Sequence, residues 1–380
     1  MAIVNTHYGF CAKGGAAVKF TYTGEYNVRD DGVVELLTSG TIVFLEPKVI
    51  DLFMVGGGGA GRSDPPSTAY NGYGGGGGGY TRTIKRLSIN ANEQFPVTIG
   101  AGGNYTTTAG AGNGGPGGAS AFNTFTVNGG VAGSSSDGGA GGSGGGAGVT
   151  SSSDYGSGGS DGNNGEKGND TGTKRGGVGQ RFTTREFGET TGKLYAGGGG
   201  GGRYISAQNP VVSSGGAGGG GSGAWINADG TNAQAAAAGV ANTGGGGGGG
   251  ARTGTGPTMN VNGASGGSGI VCFREAQELP ELAGTWVLNE RLYNPEANIT
   301  GQFNFTTGPD TGTEYPYEGI EVPASTTGTM TYLRGTSAQN IYNFSTNTWY
   351  SNWRKIIISA GATASDEFRA WLASNATKQS

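Results

Sequence analysis

Leu52-Phe-Met-Val-Gly-Gly-Gly-Gly-Ala-Gly61 decides how this chain can fold, because an apolar, strand-like run passes without a break into glycine. Solid glycine recurs at Gly74–Gly79, Gly197–Gly202 and Gly244–Gly250. Between Gly56 and Gly269 lie 72 of the chain's 86 glycines. Glycine loses more conformational freedom on folding than any other residue. At about 1–2 kcal/mol of backbone entropy per residue, ordering those 72 costs roughly 70–140 kcal/mol. They bring almost no side chain to bury in return. Either the stretch is disordered, or its backbones hydrogen-bond to one another in a regular array.

A collagen helix needs a strict Gly-X-Y period and abundant proline. Here the glycines come in solid runs, and the region holds six prolines. The ordered alternative is polyglycine II, extended left-handed helices with about three residues per turn, like polyproline II. Glycine keeps its N–H, so such helices can bond side by side, and bulky side chains would prevent the close approach.

Strand signals bracket the tract. Val33–Leu37, Thr41–Leu45 and Val49–Val55 are apolar and β-branched, and the last feeds straight into glycine. Tyr80–Leu87, Phe95–Ile99, Ala119–Phe122 with Phe125–Val127, and Ile270–Phe273 continue the pattern. This order predicts a small β-sandwich that extrudes a bundle of polyglycine rods from its strand connections. Residues 1–31 read as an irregular lead-in or attachment arm, with strand-like pieces such as Ala17–Tyr22. Residues 32–275 read as the sandwich with its inserted bundle. Ala235–Ala238 read as small residues inside the array rather than as helix.

Composition shifts after Glu275: eight glycines remain, but four of the five tryptophans. Residues 281–380 read as a second β-rich domain, with strands near 282–289, 301–306, 320–322, 330–333, 341–344 and 354–358. Ser365 can cap a final helix in which Phe368, Trp371 and Leu372 share one face. Trp286, Trp349, Trp353 and Trp371 fit a core.

Several chemistries are excluded or left without support. Net charge is −4 and no basic run occurs, so broad attraction to nucleic acid is not expected. No apolar stretch approaches the roughly 20 residues of a membrane span. The N-terminus lacks a signal-peptide pattern, which predicts synthesis in a cytoplasm and release by a route such as host lysis. A single histidine argues against a Ser-His-Asp or Cys-His centre. Cys11 and Cys272 suit packed thiols better than a zinc site, though a disulfide between them stays open. Asp154, Asp161, Asn163, Glu166 and Asp170 match no calcium-loop pattern. The chain is expected to be no enzyme and to need no cofactor or metal.

Aromatic residues that interrupt the glycines are the functional lead: Tyr70, Tyr73, Tyr105, Tyr155, Tyr204 and Trp225. As exposed rings at loop tips they would suit recognition of sugars or protein surfaces. The alternative is that they cap the rods by packing over glycine backbone.

Thr38–Leu45 through Leu52–Gly61, Gly74–Thr81, Val97–Gly103 and Gly266–Phe273 together resemble the glycine-rich domain of bacteriophage tail and virion proteins. The strand-into-glycine order is also similar to the ectodomain of the anaplastic lymphoma and leukocyte tyrosine kinase receptors. That likeness implies a jelly-roll sandwich carrying a polyglycine II bundle. Gly284–Asn289, Phe303–Phe305, Trp353–Arg354, Ile356–Ile358 and Phe368–Ala376 are similar to a C-terminal module of phage virion proteins. The resemblance implies an all-β fold in a virion structural protein, with a tail-fibre or baseplate-associated receptor-binding adhesin as the first reading. Its expected partners are other virion proteins, a host cell-surface receptor or glycan, and copies of itself in a trimer. A purely architectural component, such as a head fibre or decoration protein, and a polysaccharide-degrading tailspike are the alternatives.

Overall fold

The computed structural model describes residues 5–8, 18–62, 71–105, 114–135, 137–148, 184–189, 191–205, 213–227, 230–252 and 260–276. Beyond these it describes 279, 281, 283–288, 298–299, 304–306, 319–322, 330–331, 340–343, 348–351, 355–358, 369, 372–373 and 376–379. The chain divides into two compact units, Met1–Ala276 and Gln277–Ser380.

The first unit begins with β1 (Asn5–Tyr8), β2 (Lys19–Tyr22), β3 (Tyr26–Val28), β4 (Val34–Leu36), β5 (Gly40–Phe44) and β6 (Lys48–Val55). After the first glycine run come β7 (Asn71–Gly72), β8 (Thr81–Ile89), β9 (Gln94–Thr98), β10 (Ser120–Phe122) and β11 (Phe125–Val127). Five short strands lie among the later glycines: β12 (Arg203–Ile205), β13 (Trp225–Asn227), β14 (Ala233–Gln234), β15 (Ala251–Arg252) and β16 (Asn260–Val261). β17 (Ile270–Glu275) closes the unit.

Two sheets form the expected β-sandwich, one ordered β1-β2-β5-β9-β10-β11 and the other β3-β4-β17-β6-β8. Period-2 alternation puts one face of each sheet into a shared core. Phe20, Ile42, Phe44, Phe95 and Phe122 of the first sheet meet Leu36, Ile50, Leu52, Met54 and Phe273 of the second. Phe273 stands edge-on to both Phe20 (5.5 Å) and Phe44 (5.4 Å), an arrangement that adds to the burial of the rings. β2 and β3 fall in the stretch read as a lead-in, yet β2 pairs with β5 and β3 with β4. β2 matches the strand-like piece Ala17–Tyr22, whereas β3 was hidden because it is three residues long and lies among glycine and polar residues.

From this sandwich the glycine runs extend as rods with a three-residue repeat. Gly74, Gly77 and Tyr80 donate their N–H groups to Ser134, Val131 and Asn128; Gly75 and Gly78 donate to Gly146 and Ser143; Tyr73, Gly76 and Gly79 donate to Gly250, Gly247 and Gly244. Each step of three residues returns to the same neighbour. Segment 56–62 behaves likewise: its amides reach 74–80, 115–118 and 264–267, and its carbonyls receive amides from Gly103, from 130–133 and from 247–250. Three partners on its donor side and three on its acceptor side surround it completely. The strand–strand ladders of an ordinary sheet give each segment two neighbours, so this is a different way of satisfying buried backbone groups.

The four solid runs are these surrounded rods, and all their glycines are buried. A Cβ on Gly76 would lie well inside 3.0 Å of the Gly59 carbonyl oxygen, and on Gly79 of the Gly56 oxygen. None of Gly74–Gly79 has a positive φ. Glycine is required here for close approach, not for backbone conformation. Ala235, Ala237 and Ala238 belong to the array but lie exposed on its outside, not inside as expected. At positions such as Gly76 and Gly79 a methyl would meet a neighbouring backbone; alanine stands on the outside and at a few interior places, among them the fully buried Ala60 and Ala147.

The second unit contains β18 (Gly284–Leu288), β19 (Asn298–Ile299), β20 (Asn304–Thr306), β21 (Gly319–Val322) and β22 (Met330–Thr331). It continues with β23 (Asn340–Asn343), β24 (Thr348–Ser351), β25 (Lys355–Ile358) and β26 (Ala376–Gln379). Its main sheet is ordered β20-β21-β25-β18-β26, with β21 parallel to β25. Trp286 is buried, as expected of a core residue; the side chains of Trp349, Trp353 and Trp371 lie outside the described residues. The expected helix is present at its described residues but does not close the chain. Arg369, Leu372 and Ala373 are helical, but the last element is β26, paired along β18 from Ala376↔Leu288 to Gln379↔Thr285. Backbone pairing gives Ala-Thr-Lys-Gln a strand that its side chains do not announce.

Candidate functional site at the far end of the array

The rods have a sandwich end and a far end. At the sandwich end Gly56, Tyr80 and Gly269 continue directly from or into β6, β8 and β17. At the far end the chain leaves the described residues after Arg62, Tyr105, Gly148, Ile205 and Arg252. Connections 63–70, 106–113, 206–212 and 253–259 each begin and end there.

Two small sheets finish this end. In one, β12 runs parallel to β13 with Arg203 opposite Trp225 and Tyr204 opposite Ile226, and β14 adds Gln234 beside Trp225. In the other, β15 lies between β7 and β16. Ala224, Ile226 and Ala251 form a small apolar cluster under them, with Tyr204, Ala236 and Val261 packed against it. This is the only place where the array has side chains enough to make a core of its own among the described residues.

The sequence-predicted aromatic residues divide here. Tyr73 is fully buried, with the Arg252 guanidinium 5.6 Å over its ring, and so is not an exposed loop-tip residue. Its position explains this: it is the first residue of the 73–80 rod, and its N–H and C=O both bond to neighbouring rods. Tyr105 is half-buried, its amide held by the Ser265 hydroxyl at 3.0 Å. Tyr204 and Trp225 are half-buried on adjacent strands, and Trp225 Nε1 donates to Gln234 Oε1 at 2.7 Å. Beside them the Asn227–Asn232 turn is fixed by Asn232 N–H to Asn227 Oδ1 (2.9 Å) and Asn227 Nδ2 to Thr231 Oγ1 (3.0 Å). Tyr70 and Tyr155 lie outside the described residues, as do Asp154, Asp161, Asn163, Glu166 and Asp170.

Arginines at this end were not singled out from sequence, although a signal exists. Arg203 follows a solid glycine run directly, Arg252 follows one after Ala251, and Arg62 follows one after Ala60-Gly61. Where a rod ends, the steric demand for glycine ends too, and large side chains resume. Burial pushes the Arg203 guanidinium below its ordinary pKa.

A second polar cluster sits on the outer face of the β3–β8 sheet. Residues 184–195 cross this face as a strap, closed by Tyr195 N–H to Thr184 C=O and Glu186 N–H to Lys193 C=O, each 2.9 Å. Phe187, Tyr195 and Ala196 cover Val33, Phe53, Val55, Ile270 and Cys272. Arg29 grips Glu186 through two bonds of 2.8 Å, and the Tyr195 hydroxyl donates to the same carboxylate at 3.1 Å. Arg274 pairs with both Glu189 and Asp51 and lies 4.3 Å over the Phe187 ring. Cys272 is a free thiol with no exposure, and burial pushes its pKa up, so it is a packed side chain and not a nucleophile. Among the described residues no group of three or more His, Cys, Asp or Glu side chains could hold a metal. This cluster fastens the strap.

The far end therefore has ordered aromatic and polar groups at the bases of several connections, on a scaffold built from backbone alone. No curated protein matches the chain. A family model for the glycine-rich domain matches residues 38–276, from just before β5 through β17, and thus the whole array. The chain belongs to this glycine-rich domain family.

Proposed function

We propose that the protein is a bacteriophage virion component, a tail-fibre or baseplate-associated adhesin, whose glycine array is a polyglycine II bundle holding recognition loops away from the sandwich. The observation that carries the reading is that the described residues flanking 63–70, 106–113, 206–212 and 253–259 lie toward the end opposite the sandwich, with Tyr105, Tyr204 and Trp225. The three-residue bonding repeat supports the polyglycine II assignment, since that helix has about three residues per turn. A scaffold bonded through backbone leaves loop sequences free to vary, because no loop side chain is needed for the rods. Tyr and Trp are the residues that most often carry binding energy at such surfaces.

The test is binding of purified protein to bacterial host cells and to their isolated wall glycans. Wild type is expected to bind and to compete with infection, and Tyr105→Ala/Tyr204→Ala/Trp225→Ala is expected to lose binding while melting as the wild type does. A wild-type protein that neither binds nor competes would instead make the chain an architectural part of the particle.

A further inference from the structure

Among the described residues no glycine is exposed, although the array is mostly glycine. Every exposed position on the array carries a Cβ. In the 128–133 rod the exposed Asn128 and Val131 recur at three residues, and the buried Gly130 and Gly133 recur at the same spacing on the inward side. In segment 235–240 Ala237, Ala238 and Val240 face water. Val131 is 50% exposed and Val240 56%, two of the three exposed large apolar side chains among the described residues. Surface valine gains nothing from burial, so its presence at these positions calls for another reason.

The steric rule inside the array supplies one. A Cβ added at an interior glycine such as Gly76, Gly130 or Gly133 would fall on a neighbouring rod's carbonyl, well inside 3.0 Å. The same carbon facing outward occupies the place where a further rod would have to lie. An outer rod of bare glycine would offer water-facing amides and carbonyls to any similar rod, as an open sheet edge offers them to a strand. A second copy bearing the same bared rod would present the matching amides and carbonyls, and so is the partner that fits.

We infer that the outward side chains terminate the array and keep a second copy of this chain from adding its rods to it. The surface is thus an interaction surface of backbone geometry, closed by Cβ atoms. This goes beyond the proposed display role and does not depend on it.

Sedimentation velocity over a concentration series tests the inference, with circular dichroism and thermal melting to verify folding. Ala237→Gly/Ala238→Gly/Val240→Gly is expected to self-associate at least about tenfold more tightly than wild type. Hydrogen exchange at residues 235–240 should slow only in the associated form. Ala237→Ser/Ala238→Ser/Val240→Thr keeps each Cβ and is expected to sediment as wild type. A folded glycine variant that sediments as wild type overturns the inference, and so does equal association of the Ser/Thr set. Should the first glycine variant fail to fold, Asn128→Gly/Val131→Gly on another rod decides by the same readings.

Discussion

The amide of Gly76 donates to the carbonyl of Gly247 at 2.8 Å, tying the second glycine run to the fourth at the centre of the array. Gly76 has this bond only because the two backbones pass with no side chain between rods. A Gly76→Ala methyl would meet the Gly59 carbonyl, which belongs to a third rod and has no flexible end to move aside. Overpacking ordinarily costs about 1–3 kcal/mol, and a backbone-on-backbone clash belongs at or above the top of that range. Gly76→Ala is expected to lower the unfolding free energy by about 3 kcal/mol or more, against a small effect for the exposed Ala101→Ser. Urea unfolding of the two variants measures the contrast; equal midpoints would contradict the packing.

Amide protection gives a second test, independent of mutation. Tyr73 to Tyr80 each donate a backbone bond to another segment, and their glycines are buried. Exchange there requires separating rods, so protection should approach that of the sandwich strands. Mass spectrometry after deuterium labelling is expected to find 74–79 and 244–250 among the slowest segments. Rapid labelling of both would make the stretch a tether.

How much of this was legible before the structure follows from which residues had something to say. Leu52–Val55 and Ile270–Phe273 announced buried strands because apolar, β-branched side chains alternate or run together. Glycine entropy narrowed the stretch to disorder or a bonded array, and the bracketing strands favoured the array. Which rod neighbours which could not be read, since Gly76 and Gly59 are chemically identical and pairing depends on where the sandwich launches each run. Tyr73 misled for the same reason: next to glycine it looked unsupported, yet the rods themselves bury it. The strap was hidden because Glu186 and Glu189 have partners, Arg29 and Arg274, far away in sequence.

Arg29 and Glu186 form the more buried of the strap's two arginine clasps, and Glu186 is almost wholly buried. Removing one partner leaves an uncompensated buried charge, which typically costs about 3–5 kcal/mol, whereas an apolar pair of similar volume is often neutral. Arg29→Ala is therefore expected to destabilise strongly, and Arg29→Met/Glu186→Leu to recover most of the loss. Cys272, covered by Tyr195, reports the same event: a thiol reagent should modify Cys272 in Arg29→Ala and spare Cys272 in the native protein. Identical labelling rates in the two proteins would show that the pair does not hold the strap.

Acid should loosen these clasps in a direction fixed by their carboxylates. The Arg29 hydrogen bond lowers the pKa of Asp31 against the opposing effect of partial burial. Burial alone would raise Glu189, but the Arg274 hydrogen bond and the charges of Arg274 and Lys85 outweigh it and hold the carboxyl below its ordinary value. A carboxylate with a folded pKa below its unfolded one stabilises the fold above the unfolded pKa, and that contribution is lost as pH falls through the folded value. Stability owed to Asp31 and Glu189 should hold steady from pH 7 down to about 5 and decline below about 4.5. Both groups are partly exposed, so solvent and salt reduce the size of the effect but not its sign. Arg274→Gln removes the hydrogen-bonded charge that depresses Glu189, and its urea midpoint should fall less steeply than wild type between pH 5 and about 3. Parallel declines in the two proteins would assign the acid sensitivity to other carboxylates.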